Sequence, residues 1–150
     1  MPNTTLQIEI RKLQEEDIEP LSRIESESFS MPWSPQDFRD LLTRDYCTYL
    51  VALVDGTVAG CCGMTSICQE GNIDNVVVAE RFRNQGIACS MLSKLIRLGE
   101  EAGITAFTLE VRVSNGAAIH LYEKLGFVSE GIRPRFYEKP TEDANIMWRR

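Results

Sequence analysis

The chain has 150 residues, 43% of them hydrophobic and 25% charged, which fits one soluble globular domain of common size. At this length a fold buries about two thirds of its unfolded surface and needs no disulfide or metal staple. A net charge of −6 speaks against direct nucleic-acid binding, and no run approaches the ~20 apolar residues of a membrane span.

Met1-Pro2-Asn3-Thr4-Thr5-Leu6 carries neither a basic segment nor an apolar one, so no signal peptide is expected and a cytoplasmic location follows. From Leu6 to Arg11 apolar and polar residues alternate, a half-buried strand. Glu15-Glu16-Asp17 places acids in the first turn of a helix bearing Ile18, Leu21, Ile24 and Glu25. Ser34-Pro35-Gln36-Asp37 starts a second helix, with a capping serine, a proline at the first position and an acid three residues after the cap. That helix carries Phe38, Leu41 and Leu42. Thr48–Val54 and Thr57–Met64 are strands joined by Asp55-Gly56, a two-residue hairpin signal. A polar turn at Gln69-Glu70-Gly71 leads to a third antiparallel strand, Asn72–Ala79.

Ile87, Met91, Leu95 and Leu98 then mark one face of a long helix ended by Gly103. Thr105–Val113 is a strand, Asn115–Leu125 a helix stopped by Gly126, Phe127 the start of a further strand, and Asn145–Arg149 the last one. Strands that follow the two later helices should run parallel to their predecessors through right-handed crossovers. The expected fold is α/β (α+β): a mixed, mostly antiparallel sheet with helices on both faces, in a single domain over 1–150.

Five cysteines (Cys47, Cys61, Cys62, Cys68 and Cys89) occur without a C-x-x-C, and His120 is the only histidine. No metal site is therefore expected, and most of the cysteines read as small core hydrophobes.

Chemistry concentrates in two segments. Val76-Val77-Val78 runs through a short polar turn, Ala79 to Gln85, into Gly86-Ile87-Ala88 at the start of a helix. Such a junction gathers free backbone N–H groups at the positive end of a helix dipole and suits a phosphate or pyrophosphate. Gly86 allows close approach, and Arg83 supplies a cation. In the second segment Phe107, Leu109, Val111 and Val113 share one strand face, and Thr108, Glu110 and Arg112 share the other. A glutamate in mid-strand faces either solvent or a wet cleft. Ser114 or Asn115 caps the next helix, where Tyr122 is either a core aromatic or a phenol on the cleft, two turns beyond Asn115.

Arg83-x-x-Gly86-x-Ala88 resembles the acetyl-coenzyme A signature of the GNAT superfamily of N-acetyltransferases. The run Leu109-Glu110-Val111-Arg112-Val113-Ser114-Asn115, continued by Ala117 to Phe127, resembles its ribosomal-protein alanine N-acetyltransferase branch (RimI). Met31-Pro32-Trp33-Ser34 and Asn145-Ile146-Met147 are similar to segments of the same branch. The resemblance implies the GNAT fold, in which a parallel strand pair splays apart at mid-sheet and takes in acetyl-coenzyme A as co-substrate. The pantetheine would then pair with the backbone of Val76, Val77 and Val78. The pyrophosphate would sit on the N–H groups of Asn84, Gln85, Gly86, Ile87, Ala88 and Cys89, with Arg83 and Asn115 also at the cofactor. Glu110 would be the general base and Tyr122 the general acid.

By the same resemblance Trp33 and Tyr137 would contact the acceptor, a protein N-terminus such as the N-terminal alanine of a small-subunit ribosomal protein. The segment Arg133–Asp143 would be a loop walling that site. Asn84 stands where many relatives carry a second arginine, which shifts phosphate binding toward backbone amides and Arg83. No membrane or direct nucleic-acid partner is expected, and the chain is read as a monomer or weak dimer. Two other readings fit the first signature: acetylation of a small amine, and a coenzyme A-binding regulatory module without turnover. The presence of both Glu110 and Tyr122 argues against the module.

Overall fold

Asp55 and Gly56 have φ of 50° and 83°, the paired left-handed residues of a type I′ turn, and they join β2 (Cys47–Val54) to β3 (Thr57–Ile67) as the dipeptide predicts. The computed structural model describes residues 7–150; Met1–Leu6, and with it the start of the first predicted strand, lies outside the described residues. β1 (Ile8–Lys12) pairs antiparallel with β2, and β4 (Glu70–Val78) with β3. The β3–β4 turn is shorter than predicted. It consists of Cys68 and Gln69, at φ 49° and 68°, so Glu70 and Gly71 already belong to β4. Two non-glycine residues in left-handed conformations carry no sequence signal comparable to Asp-Gly.

β4 leads through α3 (Ile87–Glu101) to β5 (Ala106–Arg112), which is parallel to it. β5 leads through α4 (Gly116–Lys124) to β6 (Val128–Tyr137), and the chain ends in β7 (Glu142–Arg149). The sheet order is β1-β2-β3-β4-β5-β7-β6. β6 runs in the direction of β5 as predicted, but β7 is inserted between them and pairs antiparallel with both. The predicted loop Arg133–Asp143 is also corrected. Arg133 to Tyr137 continue β6 through a register shift with Arg135 at φ 52°, and Glu142 and Asp143 open β7.

The two sheet faces carry separate apolar clusters. On one, Met91, Leu92 and Leu95 of α3 and Tyr122 of α4 pack on Leu50, Met64, Phe107, Leu109 and Met147. On the other, Ile18, Leu21 and Ile24 of α1 (Ile18–Ser28) and Phe38 of α2 (Pro35–Leu41) pack on Tyr49, Val51, Cys61 and Val77. Fully buried Leu, Ile and Phe side chains stabilise such layers by about 1.5–3 kcal/mol each. The predicted capping box of α2 is formed: Asp37 N donates to Ser34 Oγ at 3.2 Å and Ser34 N to Asp37 Oδ2 at 2.8 Å. Gly103 and Gly126, at φ 95° and 94°, lie just past α3 and α4, where a left-handed residue ends a helix. Among the described residues no helix is long and apolar enough to cross a membrane.

Candidate active site

β4 and β5 pair over three residues only, Glu70↔Ala106, Gly71↔Phe107 and Asn72↔Thr108, and then separate. The cause lies in β4. Between Val77, opposite Cys61, and Asp74, opposite Gly63, β4 holds one residue more than β3, a bulge with Asn75 at φ 55°. A bulge bends its strand and strengthens its twist. Gly60 allows the bulged strand to come close, since a Cβ there would lie 2.3 Å from Val77 O. Beyond the last pair, the β5-facing backbone edge of 73–78 has no ladder partner, and the strands enclose a cleft of ≈ 1220 Å³.

At one end of the cleft α3 begins. Its N-cap is Gly86, left-handed at φ 77°, and Asn84 before it is left-handed at φ 62°. Asparagine tolerates that conformation better than most residues, which accounts for its place in this turn. A Cβ on Gly86 would meet nothing within 4 Å, so the turn opens onto space. The first N–H groups of α3, on Ile87, Ala88 and Cys89, have no acceptor inside the helix and border the cleft. Arg83 also borders it. Its Nε donates to Val78 O at 2.9 Å and its Nη2 to Ser28 Oγ at 3.4 Å, so it ties the end of β4 to the end of α1. Gln85 is the one predicted cofactor residue that does not line the cleft; its Nε2 donates to Arg81 O at 3.4 Å. Asn115 lines the cleft and caps α4, accepting from Ala118 N at 3.2 Å.

Glu110 and Tyr122 line the same cleft. Glu110 is partly buried on the cleft wall, and the predicted alternation holds along β5, with Phe107, Leu109 and Val111 buried. Val113, placed on that apolar face, is exposed because the strand ends before it. Glu110 Oε1 lies 3.8 Å from Arg133 Nη1, a long contact between a largely buried carboxylate and a half-exposed guanidinium. Tyr122 is buried edge-to-face against Phe127, and burial pushes its hydroxyl pKa up, so the phenol keeps its proton. Burial, with Glu110 nearby, likewise raises Tyr137 to about 12. The Arg112 guanidinium lies 4.5 Å over the Tyr137 ring while pairing with Glu142 at 3.1 Å, which fixes Tyr137 on the cleft wall. Trp33 lines the opposite side, its ring 5.4 Å from Phe38 and 5.7 Å from Tyr49.

Three polar residues near the cleft were not singled out by sequence. Tyr49 is buried and donates its hydroxyl to Asp74 Oδ1 at 2.6 Å. Glu25, predicted only as a helix residue, is fully buried on the cleft, with Oε1 unpartnered and Oε2 accepting the Trp33 N–H at 3.5 Å. Burial raises its carboxyl to about 7, against the opposing influence of the Trp33 N–H and the Asn75 side chain. An ordinary glutamate titrates near 4.5, so between these values the folded chain holds the proton more tightly than the unfolded one. Stability therefore falls as pH rises through that window. Glu25→Gln abolishes this loss: between about pH 5 and pH 8 the variant should gain about 2–3 kcal/mol on the wild type, read by urea unfolding. A pH-independent difference would show that Glu25 titrates as a solvated carboxyl.

The sequence profile of the acetyltransferase (GNAT) family matches residues 18–127. A Bacillus subtilis protein described as a putative [ribosomal protein bS18]-alanine N-acetyltransferase is 36% identical over 140 residues, 93% of each chain. The Escherichia coli K12 [ribosomal protein bS18]-alanine N-acetyltransferase is 33% identical over 142 residues, 92% of this chain and 94% of that one. The crystal structure of the ribosomal-protein-S18-alanine N-acetyltransferase from Escherichia coli superposes with a TM-score of 0.88 at 30% identity, over 95% of this chain and 93% of that one.

Proposed function

The chain belongs to the GNAT acetyltransferase family, and from that premise we propose that it acetylates the N-terminal α-amine of a protein, the N-terminal alanine of a small-subunit ribosomal protein. It is an acetyl-coenzyme A-dependent N-acetyltransferase. The observation that carries the reading of the site is the arrest of the β4–β5 ladder after three pairs, with Glu110 on one lip and the start of α3 at one end.

The residues present fit the co-substrate. The left-handed turn at Gly86 opens onto space and presents the unbonded amides of α3, a cradle for a pyrophosphate. The unpaired edge of β4 at Val76, Val77 and Val78 offers backbone groups to an amide-bearing chain such as pantetheine. Bound there, acetyl-coenzyme A supplies an acetyl thioester. An α-amine with a reference pKa of about 8 arrives mostly as an ammonium at neutral pH and must lose a proton before it can attack. Glu110 accepts that proton. Tyr122, kept neutral by burial, holds a proton available to a departing thiolate. The wedge itself contributes by proximity, and Trp33 and Tyr137 frame the acceptor.

Isotope-labelled acetyl-coenzyme A with a panel of alanine-initiated N-terminal peptides, beside polyamines, aminoglycosides and free amino acids, tests the acceptor. Mass mapping should find the label on the peptide α-nitrogen. Label on small amines alone would overturn the protein acceptor.

A further inference from the structure

One row of residues crosses the α1/α2 face of the sheet and ends at the cleft. Tyr49 in β2 is paired with Gly63 in β3, and Gly63 with Asp74 in β4. A Cβ at Gly63 would fall 1.9 Å from the Tyr49 ring, so the ring lies over the glycine and its hydroxyl reaches Asp74. Extending the β4–β5 register two residues past Asn72↔Thr108 sets Asp74 opposite Glu110, where the strands have parted. Both carboxyls line the cleft, and the Glu110 charge adds to burial in raising the Asp74 pKa.

A second observation points to what this acidic row receives. Glu25, fully buried, reaches the same cleft with one oxygen lacking a hydrogen bond, the Asn75 amide nitrogen near it also lacks one, and Asp74 lies near enough for its charge to oppose ionisation there. Among the described residues no Lys or Arg pairs with Asp74 or Glu25, and the one cation on Glu110 is the half-exposed Arg133. Partly desolvated carboxyls of like charge are unfavourable until a cation with hydrogen-bond donors joins them. No group of acids among the described residues converges closely enough to hold a metal ion. An ammonium, with its positive charge and N–H donors, satisfies carboxyls spaced across a gap.

We propose that Asp74 is an acceptor-binding residue that, with Glu110 across the mouth of the splay, grips the amine in its ammonium form. This rests on the cleft being the acceptor site of an N-terminal acetyltransferase. Tyr49 is the positioning residue that orients Asp74. The ammonium then gives its proton to Glu110: one N–H bond breaks, one O–H bond forms, and the nitrogen keeps the electron pair with which it attacks.

The test uses two inhibitors built on one alanine-initiated acceptor peptide. One is N,N-dimethylated and cationic at the terminus; the other is N-formylated and neutral. The wild type should prefer the cationic peptide by about ten- to a hundredfold, the span of a hydrogen bond to a charged group. Asp74→Asn keeps an acceptor for the Tyr49 hydroxyl and removes the charge. It should cut the preference to about threefold or less and raise the acceptor KM by a similar factor, with the acetyl-coenzyme A Kd unchanged. Tyr49→Phe should lower the preference by a smaller factor. An equal preference in wild type and Asp74→Asn, or none in a wild type that acetylates the peptide, overturns the proposal. A wild type that acetylates only some other amine instead refutes the protein-acceptor reading, and the effect of Asp74→Asn on the KM for that amine then decides the role of Asp74.

Discussion

Glu110→Gln is expected to lower kcat at neutral pH by about 10²–10⁴-fold, the range that general base catalysis contributes. The substitution is nearly isosteric and leaves the β5–β7 backbone pairing at Ile146 intact. The contact it weakens, with Arg133 at 3.8 Å, is long and its cationic end is half exposed, so stability should change little. The Kd for acetyl-coenzyme A should therefore stay within about twofold, since the phosphate cradle at Gly86 lies at another part of the cleft. The loss also carries a pH signature. The base is needed because the amine arrives protonated, so the deficit should shrink once pH exceeds the amine pKa of about 8. Single-turnover rates from about pH 6.5 to 9.5 measure this. A variant as fast as wild type at pH 7 would remove the base role. A deficit constant across the range would make Glu110 a binding group. Both variants should raise the acceptor KM, because the two carboxyls share the grip on the ammonium, but only Glu110→Gln should slow single turnover at saturating acceptor.

The sequence was most legible where local chemistry dictates geometry. Asp55-Gly56, the Ser34/Asp37 box and the glycine opening α3 each encode a backbone conformation within a few residues, and each is found where predicted. The alternation that turned Glu110 away from Phe107 and Leu109 also held, because a strand's period fixes which side chains share a face. What was missed depends on register between distant strands. Tyr49, Gly63 and Asp74 fall into one row only after two antiparallel ladders are set, and the bulge at Asn75 shifts that register. Glu25 looked like an ordinary helix glutamate until α1 packed it under Trp33. The family resemblance assigns Arg133 to Tyr137 to a loop, and Pro134 with two arginines offers no strand pattern against it; on an exposed edge strand charge and proline are tolerated. The crossover rule gave the direction of β6, but it does not specify adjacency, and β7 occupies the intervening place.

Gly86→Glu should weaken acetyl-coenzyme A binding by about 10³-fold or more, through charge set against charge at the positive end of α3. The site of the change separates this from misfolding. At φ 77° any side chain strains the backbone, by roughly 1–2 kcal/mol, so the melting temperature should fall by only a few degrees in a domain of this size. Space is not limiting, because nothing lies within 4 Å of the new Cβ and the side chain projects into the opening. The carboxylate then takes up the free amides of Ile87, Ala88 and Cys89 that the pyrophosphate would use, and repels the phosphates themselves. Gly86→Ala isolates the strain and should weaken binding by about tenfold or less. Calorimetric titration of the two variants therefore reads the two effects apart. If Gly86→Glu binds as tightly as Gly86→Ala, no phosphate rests on this turn, and the anion must be held by side-chain cations elsewhere along the cleft.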